Sequence, residues 1–346
     1  MAWFTRDRTS GHALDDLDRK LRELIAHPMS PNPPETLDPS HLRPRVRSRA
    51  AIELARLRYG LKPDGFVDGA EPAVEAIAAD LAWELFWDTR STAQTIDMAQ
   101  IRRWGTTFPE LLDAAKTSLA MDPFLGWRVV KGKIYTPIGE NEHDGTRAFL
   151  PGALDFLPFT DERVVFRPTR TRCLVTNVSD PEGIAIAADL TLRELDGADR
   201  VSCTPVVSCR NGWRPLKLAP SHTAYSRWRK LVTADKVIGY DAQKELLERQ
   251  LSDDLLVAKY SAIGLNERGT ISFTTWSRNA ASLLPVADFV SFSDGEAVPI
   301  VVPWDAVVEL VGHLLEPTSH YPSRFRVVDS PTAGEFEVLR TLATEL

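Results

Sequence analysis

The sequence contains little cysteine, with only Cys173, Cys203 and Cys209 among 346 residues. Such a sparse and odd-numbered set does not build the disulfide framework of a small secreted protein, and it is typical of thiols that stay reduced. Residues 1–8 become charged at once and lack the apolar core of a secretory signal. We therefore expect a cytoplasmic location.

Long hydrophobic runs are also absent. No window approaches the roughly 18 consecutive apolar residues of a membrane-spanning helix, so we expect no membrane association. Hydrophobic residues make up 43% of the chain and charged residues 26%, which suffices for a sizeable core and excludes general disorder. The formal net charge of −7 argues against wrapping a polyanion with the whole surface.

The sequence motifs of metal, nucleotide and acyl chemistry are missing. Five residues separate Cys203 from Cys209, and neither CxxC nor HExxH occurs, so no zinc site is predicted. Pro317 would break a helix between His313 and His320, and we interpret both histidines as ordinary surface or boundary residues. GxxxxGK[ST], GxGxxG after a strand and GxSxG do not occur. We therefore assign no catalytic, cofactor or metal-binding residue.

The first third of the chain shows helical periodicity. Apolar residues recur at three- and four-residue spacing in the segment 14–25. The proline-rich stretch 28–44 is predicted to have no regular secondary structure and to form an arm outside the core. Further helices are predicted at 47–59, 72–87, 96–104 and from residue 109 onward.

Strand and turn patterns dominate after Asp122. Lys131-Gly132 and Asn211-Gly212 are expected to be hairpin turns, and Asp180-Pro181 is expected to begin a helix. Hairpins outnumber plausible βαβ units, which predicts an α+β fold with a mainly antiparallel sheet and packed helices. We expect an amino-terminal helix and arm at 1–45, a helical region at 46–122 and an α+β domain at 123–346.

Two segments, 150–161 and 284–294, resemble each other. Each begins with Leu-Pro and continues through Asp-Phe to an acid-bearing turn. An internal duplication would explain the likeness, and it predicts that Phe156 and Phe289 occupy equivalent strands. A groove between similar halves would then be the natural binding place. The alternative is a chance match.

Basic residues are concentrated in three places. They are Arg43, Arg45, Arg47 and Arg49; Arg163, Arg167, Arg170 and Arg172; and Arg227, Arg229 and Lys230 around Trp228. Arginine beside aromatic residues suits phosphate or single-stranded nucleic acid. Against this interpretation stands the net acidity of the chain, and the alternative is a set of solvated faces paired with Asp and Glu.

One arrangement of acids and a lysine hints at a metal-dependent nuclease. Asp253 and Asp254 precede the strand of Lys259, and Glu245 and Glu248 lie on the helix before it. Side chains five residues apart fall on opposite faces of a regular strand, which argues against convergence of Asp254 and Lys259. The alternative is a solvated helix end that is followed by a hairpin.

Several apolar and turn segments carry a family resemblance. They are Trp104-Gly105, Leu150-Pro151-Gly152, Val164 to Arg170, Asp180 to Gly183, Gly212-Trp213, Trp276 and Leu283 to Asp288. Through them, residues 95–305 resemble an uncharacterised bacterial family of unknown function. The resemblance concerns fold more than chemistry, and it implies no catalytic residues.

Two classes of function remain open. We favour a non-catalytic interaction or regulatory protein with a protein partner, because catalytic and cofactor constellations are missing while tryptophan and a proline-rich arm are present. The alternative is a hydrolase or nuclease whose site is assembled from residues distant in sequence. A flat, aromatic-rich exposed patch would favour the first class, and a pocket lined by acids or a Cys–His pair the second.

The oxidation state of the cysteines tests the expectation that the thiols stay reduced. We expect the purified protein to carry three reduced thiols, because their number and spacing fit a reducing compartment. Alkylation of the protein in denaturant without a reducing agent, followed by intact mass measurement, should show three added groups. A mass that corresponds to one added group would reveal an intramolecular disulfide and contradict the expectation.

Overall fold

The computed structural model describes residues 36–58, 71–89, 93–139, 141–197, 199–252, 254–265, 269–278, 280–293 and 299–344. These residues form strands and helices in a mainly antiparallel arrangement, which confirms the α+β class. Contacts between Cα atoms divide the chain into two compact units. The first unit contains the described parts of Thr5–Ala51 and Phe66–Leu231, and the second contains those of Ile52–Gly65 and Val232–Leu346.

The first unit holds two antiparallel sheets. Its elements are β1 (Leu42–Ser48), the start of α1 (Arg49–Arg58), β2 (Val74–Ala78), β3 (Leu81–Asp88), β4 (Ala93–Thr95), α2 (Met98–Arg103), α3 (Phe108–Met121), β5 (Trp127–Val130), β6 (Ile134–Pro137), α4 (Glu142–Arg147), β7 (Arg163–Phe166), β8 (Leu174–Asn177), α5 (Pro181–Leu192), β9 (Val206–Cys209), β10 (Gly212–Pro215) and the start of α6 (Tyr225–Gln250). One sheet has the order β1-β3-β2, with β4 also paired to β3. The other sheet has the order β10-β9-β7-β8-β6-β5.

The second unit contains the remainder of α1 and α6 and two four-stranded sheets. Its other elements are β11 (Leu256–Val257), β12 (Ser261–Leu265), β13 (Gly269–Ser277), β14 (Ser282–Pro285), β15 (Phe289–Ser293), β16 (Ile300–Pro303), α7 (Trp304–Val311), β17 (Leu315–Pro317), β18 (Arg324–Val327) and α8 (Ala333–Thr341). The strand orders are β11-β14-β18-β17 and β12-β13-β15-β16. The pairs β11–β14 and β13–β15 are parallel.

The prediction of a helix at 72–87 is wrong, because this segment forms β2 and β3. All residues of β3 except the last are buried, and Glu84 is the only polar residue among the buried ones. A continuous buried run does not distinguish a central strand from a helix by periodicity. The described part of the first third therefore mixes strands with α1, α2 and α3, and the predicted helix at 14–25 lies outside the described residues.

The prediction for the proline-rich stretch is wrong at its carboxyl-terminal end, residues 42–44. Leu42 is fully buried in the core, and β1 pairs antiparallel with β3, so 42–44 are neither irregular nor outside the core. Pro44 is tolerated because β1 forms an edge of its sheet, where a missing N–H costs no ladder bond. Residues 28–35 of the predicted arm lie outside the described residues.

The predicted internal duplication is wrong. Phe289 begins strand β15, whereas Phe156 lies in a turn and is 88% exposed. Leu284-Pro285 likewise belong to β14, whereas Leu150-Pro151 do not belong to a strand. The two segments occupy different kinds of element, and the proposal of a groove between equivalent halves falls with them.

The local signals of the Asp180 cap and the Lys131-Gly132 turn are confirmed, whereas the β9–β10 hairpin turns at Arg210-Asn211 and Gly212 is the first residue of β10. The Asp180 side chain accepts a hydrogen bond from the Gly183 N–H at 2.9 Å, and Pro181 occupies the first turn of α5. Lys131 and Gly132 both have positive φ, 54° and 72°, which is the geometry of the type I′ turn that joins β5 to β6. The β5–β6 hairpin therefore forms where its turn residues predict it.

A buried arginine organises the second unit. Arg324 on β18 is 1% exposed, and burial lowers its pKa to about 10. Its guanidinium donates to the Gln243 side-chain oxygen at 2.6 Å and to the carbonyls of Ala258 at 2.8 Å and Leu283 at 3.1 Å. It also lies 5.2 Å from the ring centroid of Tyr240. One side chain thus joins α6 to the β11-β14-β18 sheet.

Replacement of this arginine should destabilise the second unit strongly. We expect Arg324→Met to lower the free energy of unfolding by about 3–5 kcal/mol, because the Gln243 oxygen and the carbonyls lose their donor in a buried site. Urea unfolding followed by circular dichroism measures this change. Arg326→Met, at an exposed position of the same strand, is the matched control and should change stability by less than about 0.5 kcal/mol. Equal effects would contradict the assignment.

Candidate functional site

Three members of the first arginine cluster, Arg43, Arg45 and Arg47, lie on strand β1, and Arg49 begins α1. Burial along β1 alternates residue by residue, with Leu42 and Val46 inward and the arginines half-buried on the other face. The Arg45 guanidinium donates to the Glu84 carboxylate at 2.6 Å, and the Arg47 guanidinium lies 3.5 Å from the same oxygen. Two cations therefore share one buried acid on β3.

Glu84 stays charged in this environment. Burial disfavours its carboxylate, but attraction to Arg45 and Arg47 outweighs that cost and holds the pKa of Glu84 below its ordinary value. Arg45 also lies 5.0 Å from the ring centroid of Phe86 and donates to the Thr95 hydroxyl at 2.9 Å. The cluster is thus a fully bonded layer on one sheet and leaves Arg45 little freedom to bind a ligand.

The second arginine cluster contains a structural member. Arg167 is 1% exposed and donates to the carbonyls of Arg172 at 3.2 Å, Glu142 at 3.1 Å and Arg170. A Cβ atom at Gly145 of α4 would overlap this guanidinium, so the arginine needs glycine beside it. Arg167 thereby fixes the backbone of the loop 167–173, which connects β7 to β8.

The exposed arginines of the clusters pair with acids. Arg170 lies 2.6 Å from Asp199, Arg163 lies 3.4 Å from Asp155, and Arg172 pairs with Glu194. In the third cluster, Arg227 lies 3.2 Å from Asp189. Such pairs favour the interpretation of solvated, acid-paired faces, because neutralised guanidinium groups attract a polyanion weakly.

The acids considered for a nuclease also have partners. Glu245 pairs with Arg249, and Glu248 pairs with Lys244, each at the i,i+4 spacing of helix α6. Asp254 is exposed, and Asp253 lies outside the described residues. Among the described residues, no group of three or more His, Cys, Asp or Glu is placed to hold a metal ion.

One of the two histidines expected at the surface or its boundary, His320, is buried. His313 is largely exposed, as expected, but His320 is 8% exposed and its Nδ1 lies 2.9 Å from Glu53. Arg56 donates to the same carboxylate, and hydrogen bonds from His320 and Arg56 hold the pKa of Glu53 below its ordinary value against the opposing effect of burial. His320 lies 267 residues from Glu53 in the sequence, so their spacing does not indicate that the two side chains meet.

None of the three cysteines, which all lie in the described residues, forms a disulfide bond. Cys173 is fully buried in the core, and burial raises its pKa to about 12. A thiol with so high a pKa is not a nucleophile at neutral pH. Cys203 is 1% exposed, and Cys209 is half-buried.

An open sheet edge is the first feature that points to a partner. Strand β5 ends the six-stranded sheet, and among the described residues it pairs only with β6. The Ile138 N–H donates to the Gly126 carbonyl at 2.9 Å. Because bonded and non-bonded pairs alternate along an antiparallel ladder, the backbone groups of Trp127 and Val129 point away from β6. They offer donors and acceptors at the open edge.

Two large apolar side chains on or next to β5 are exposed, and a third lies in the segment that packs against β6. Leu125 is 73% exposed, Val129 52% and Phe156 88%. Phe159, in the same turn segment as Phe156, packs edge-on against Tyr135 of β6 at 5.2 Å, so this segment lies against the hairpin. We call the open edge of β5 together with Leu125, Val129 and Phe156 the edge surface. Large exposed apolar side chains beside an open strand edge offer contact to a partner.

The sequence did not indicate the edge surface. The β5–β6 hairpin is predictable from its turn, but the position of β5 at the end of the sheet depends on pairings with distant strands. Phe156 was expected to lie in a strand equivalent to that of Phe289 and is instead exposed in a turn. The only available signal was the unusual run of apolar residues around a short hairpin.

Comparison with known proteins finds no match: no protein-family model, curated protein or solved structure is similar to the chain. None of the described helices combines the length and the apolar composition that a membrane crossing requires. We therefore infer function from the chemistry of the described residues.

The buried acid of β3 should give the first unit a pH-dependent stability. The pKa of Glu84 is lowered in the folded state, so its contribution is present at neutral pH and is lost as the pH falls below the ordinary carboxyl range. We expect Glu84→Gln to cost about 3 kcal/mol of unfolding free energy at about pH 7, because two buried cations lose their partner, and clearly less at about pH 3.5.

Urea unfolding at both pH values measures the difference. Glu75→Gln, on the exposed strand β2 of the same sheet, is the matched control and should have little effect at either pH. A Glu84→Gln cost that does not shrink on acidification would contradict the role assigned to the charge.

Proposed function

We propose that this chain is a non-catalytic interaction protein that binds an extended segment of a partner protein at the edge surface. The observation that carries the proposal is the open edge of β5, where the backbone groups of Trp127 and Val129 point away from β6. A strand of another protein is the chemical complement of such an edge.

The side chains around the edge support a protein partner over a nucleic acid. Leu125, Val129 and Phe156 offer apolar contact, which an extended peptide matches with alternate side chains. The basic clusters, by contrast, pair with acids such as Asp199 and Glu84. Phosphate contacts would have to displace those carboxylates.

The edge is short, and this bears on the kind of complex. β5 has four residues, of which two direct their backbone groups outward. Hydrogen bonds from two residues with a few apolar contacts fit a transient or regulatory interaction better than an obligate one. The alternative, a hydrolase or nuclease, would need converging acids, and Glu245 and Glu248 already pair with cations of their own helix.

A backbone substitution tests the proposal. A phage-displayed library of random peptides of about ten residues would be selected against the protein. We expect Val129→Pro to weaken the selected peptides about tenfold or more, because proline removes one outward N–H that β6 does not use. Isothermal titration measures the affinities, and circular dichroism verifies the fold.

Val129→Thr is the matched control, because threonine keeps the β-branched shape and the backbone donor. It should bind within a few-fold of the unsubstituted protein. A library that yields no binders, or binders indifferent to Val129→Pro, would overturn the proposal.

A further inference from the structure

A polar cleft lies beside the β5–β6 hairpin in the first unit. Its volume is about 190 Å³. The polar side chains that line it are Arg128, Thr136, Thr169, Thr171, Arg172 and Glu194. They come from the hairpin, from the loop 167–173 and from the segment after α5, so the cleft is assembled from parts of the chain that no sequence motif connects.

The hairpin supplies one wall of the cleft. Arg128 of β5 and Thr136 of β6 are direct cross-strand partners, so their side chains emerge on the same face of the sheet. This face is opposite to that of Val129, because side chains alternate along a strand. Thr136 is 7% exposed and sits at the base, while Arg128 is exposed.

The loop 167–173 supplies the other wall, and its backbone is held in place. The buried Arg167 binds the carbonyls of Arg170 and Arg172. The Thr169 hydroxyl accepts a hydrogen bond from the Arg172 N–H at 3.1 Å, so its own proton stays available to a ligand. Thr169 is 8% exposed, which makes it a buried polar group aimed at the cleft.

The lining offers more hydrogen-bond donor groups than acceptors, which favours an anion. Two guanidinium groups and three threonine hydroxyls line the cleft with one carboxylate, that of Glu194, which pairs with Arg172. The carboxylate binds one terminal nitrogen of Arg172, and a guanidinium has five N–H donors in all. Arg172 and Glu194 are 44% and 32% exposed, and such a partly exposed ion pair is weak enough for a second anion to join it.

The size of the cleft and its hydrogen-bond donors limit the choice of ligand further. At about 30 Å³ per water, a volume of 190 Å³ holds several waters, and it is smaller than the roughly 300–1,000 Å³ of sites for drug-sized molecules. Arginine forks match the oxygens of a phosphate group, and three threonine hydroxyls add further donors.

We propose that this cleft binds the phosphate group of a small phosphate monoester. Arg128 and Arg172 hold the phosphate oxygens from opposite walls, and Thr136 and Thr169 donate to them from the buried base. Glu194 orients Arg172. The site lies on the face of the hairpin away from Val129, so it is independent of peptide binding at the edge surface.

Isothermal titration with sn-glycerol 3-phosphate and with inorganic phosphate, at constant ionic strength, tests the site. We expect saturable binding. Arg172→Gln and Arg128→Gln should each weaken the affinity about tenfold or more, because each substitution removes one charged guanidinium group. Arg214→Gln is the matched control, since Arg214 forms a comparably exposed pair with Glu162 outside the cleft. Thr136→Val keeps the shape of the side chain, removes one hydroxyl and should weaken binding several-fold.

The results separate this proposal from the preceding one. Val129→Pro should leave phosphate binding unchanged, whatever its effect on peptides. Binding of glycerol 3-phosphate no tighter than that of inorganic phosphate would restrict the ligand to the free anion and overturn the assignment of an ester. Absence of saturable binding, or an equal loss in Arg214→Gln, would overturn the site itself.

Discussion

Buried guanidinium groups bound to backbone carbonyls are the interaction on which both units depend. A buried charge is costly unless every donor finds an acceptor, and irregular connections leave carbonyls that need donors. Arg324 meets this need in the second unit by binding Ala258 and Leu283. Arg167 meets it in the first unit, in the loop after β7.

A further arginine extends this arrangement toward the edge surface. Arg147 on α4 donates to the Asp122 carbonyl at 3.0 Å and lies 5.3 Å from the Phe124 ring centroid. It thereby anchors the segment between α3 and β5, next to the exposed Leu125. The edge surface and the polar cleft beside the β5–β6 hairpin are thus each supported by one buried arginine, and binding groups on a fixed support lose less entropy when a ligand arrives.

The sequence was informative where structure is decided locally. A cap such as Asp180, or a turn such as Lys131-Gly132, acts through neighbours in the chain, so its outcome is predictable. It was misleading at β1, where arginine at every second position signals a strand, but residues 42–44 were assigned to the proline-rich arm and residues from 47 onward to a helix. It was silent on the candidate sites, because Arg128, Thr169 and Glu194 meet only after distant strands pair.

The guanidinium of Arg167 determines which residues fit at Gly145. Gly145 lies inside the short helix α4, where intrinsic helix propensity would favour alanine over glycine by about 1 kcal/mol. The guanidinium of Arg167 fills the space that a methyl group would need. The mutational tolerance of this position is therefore set by a distant arginine and not by helix propensity. In evolutionary terms, positions 145 and 167 form a coupled pair, in which a larger residue at the first becomes acceptable only after the second has lost its arginine.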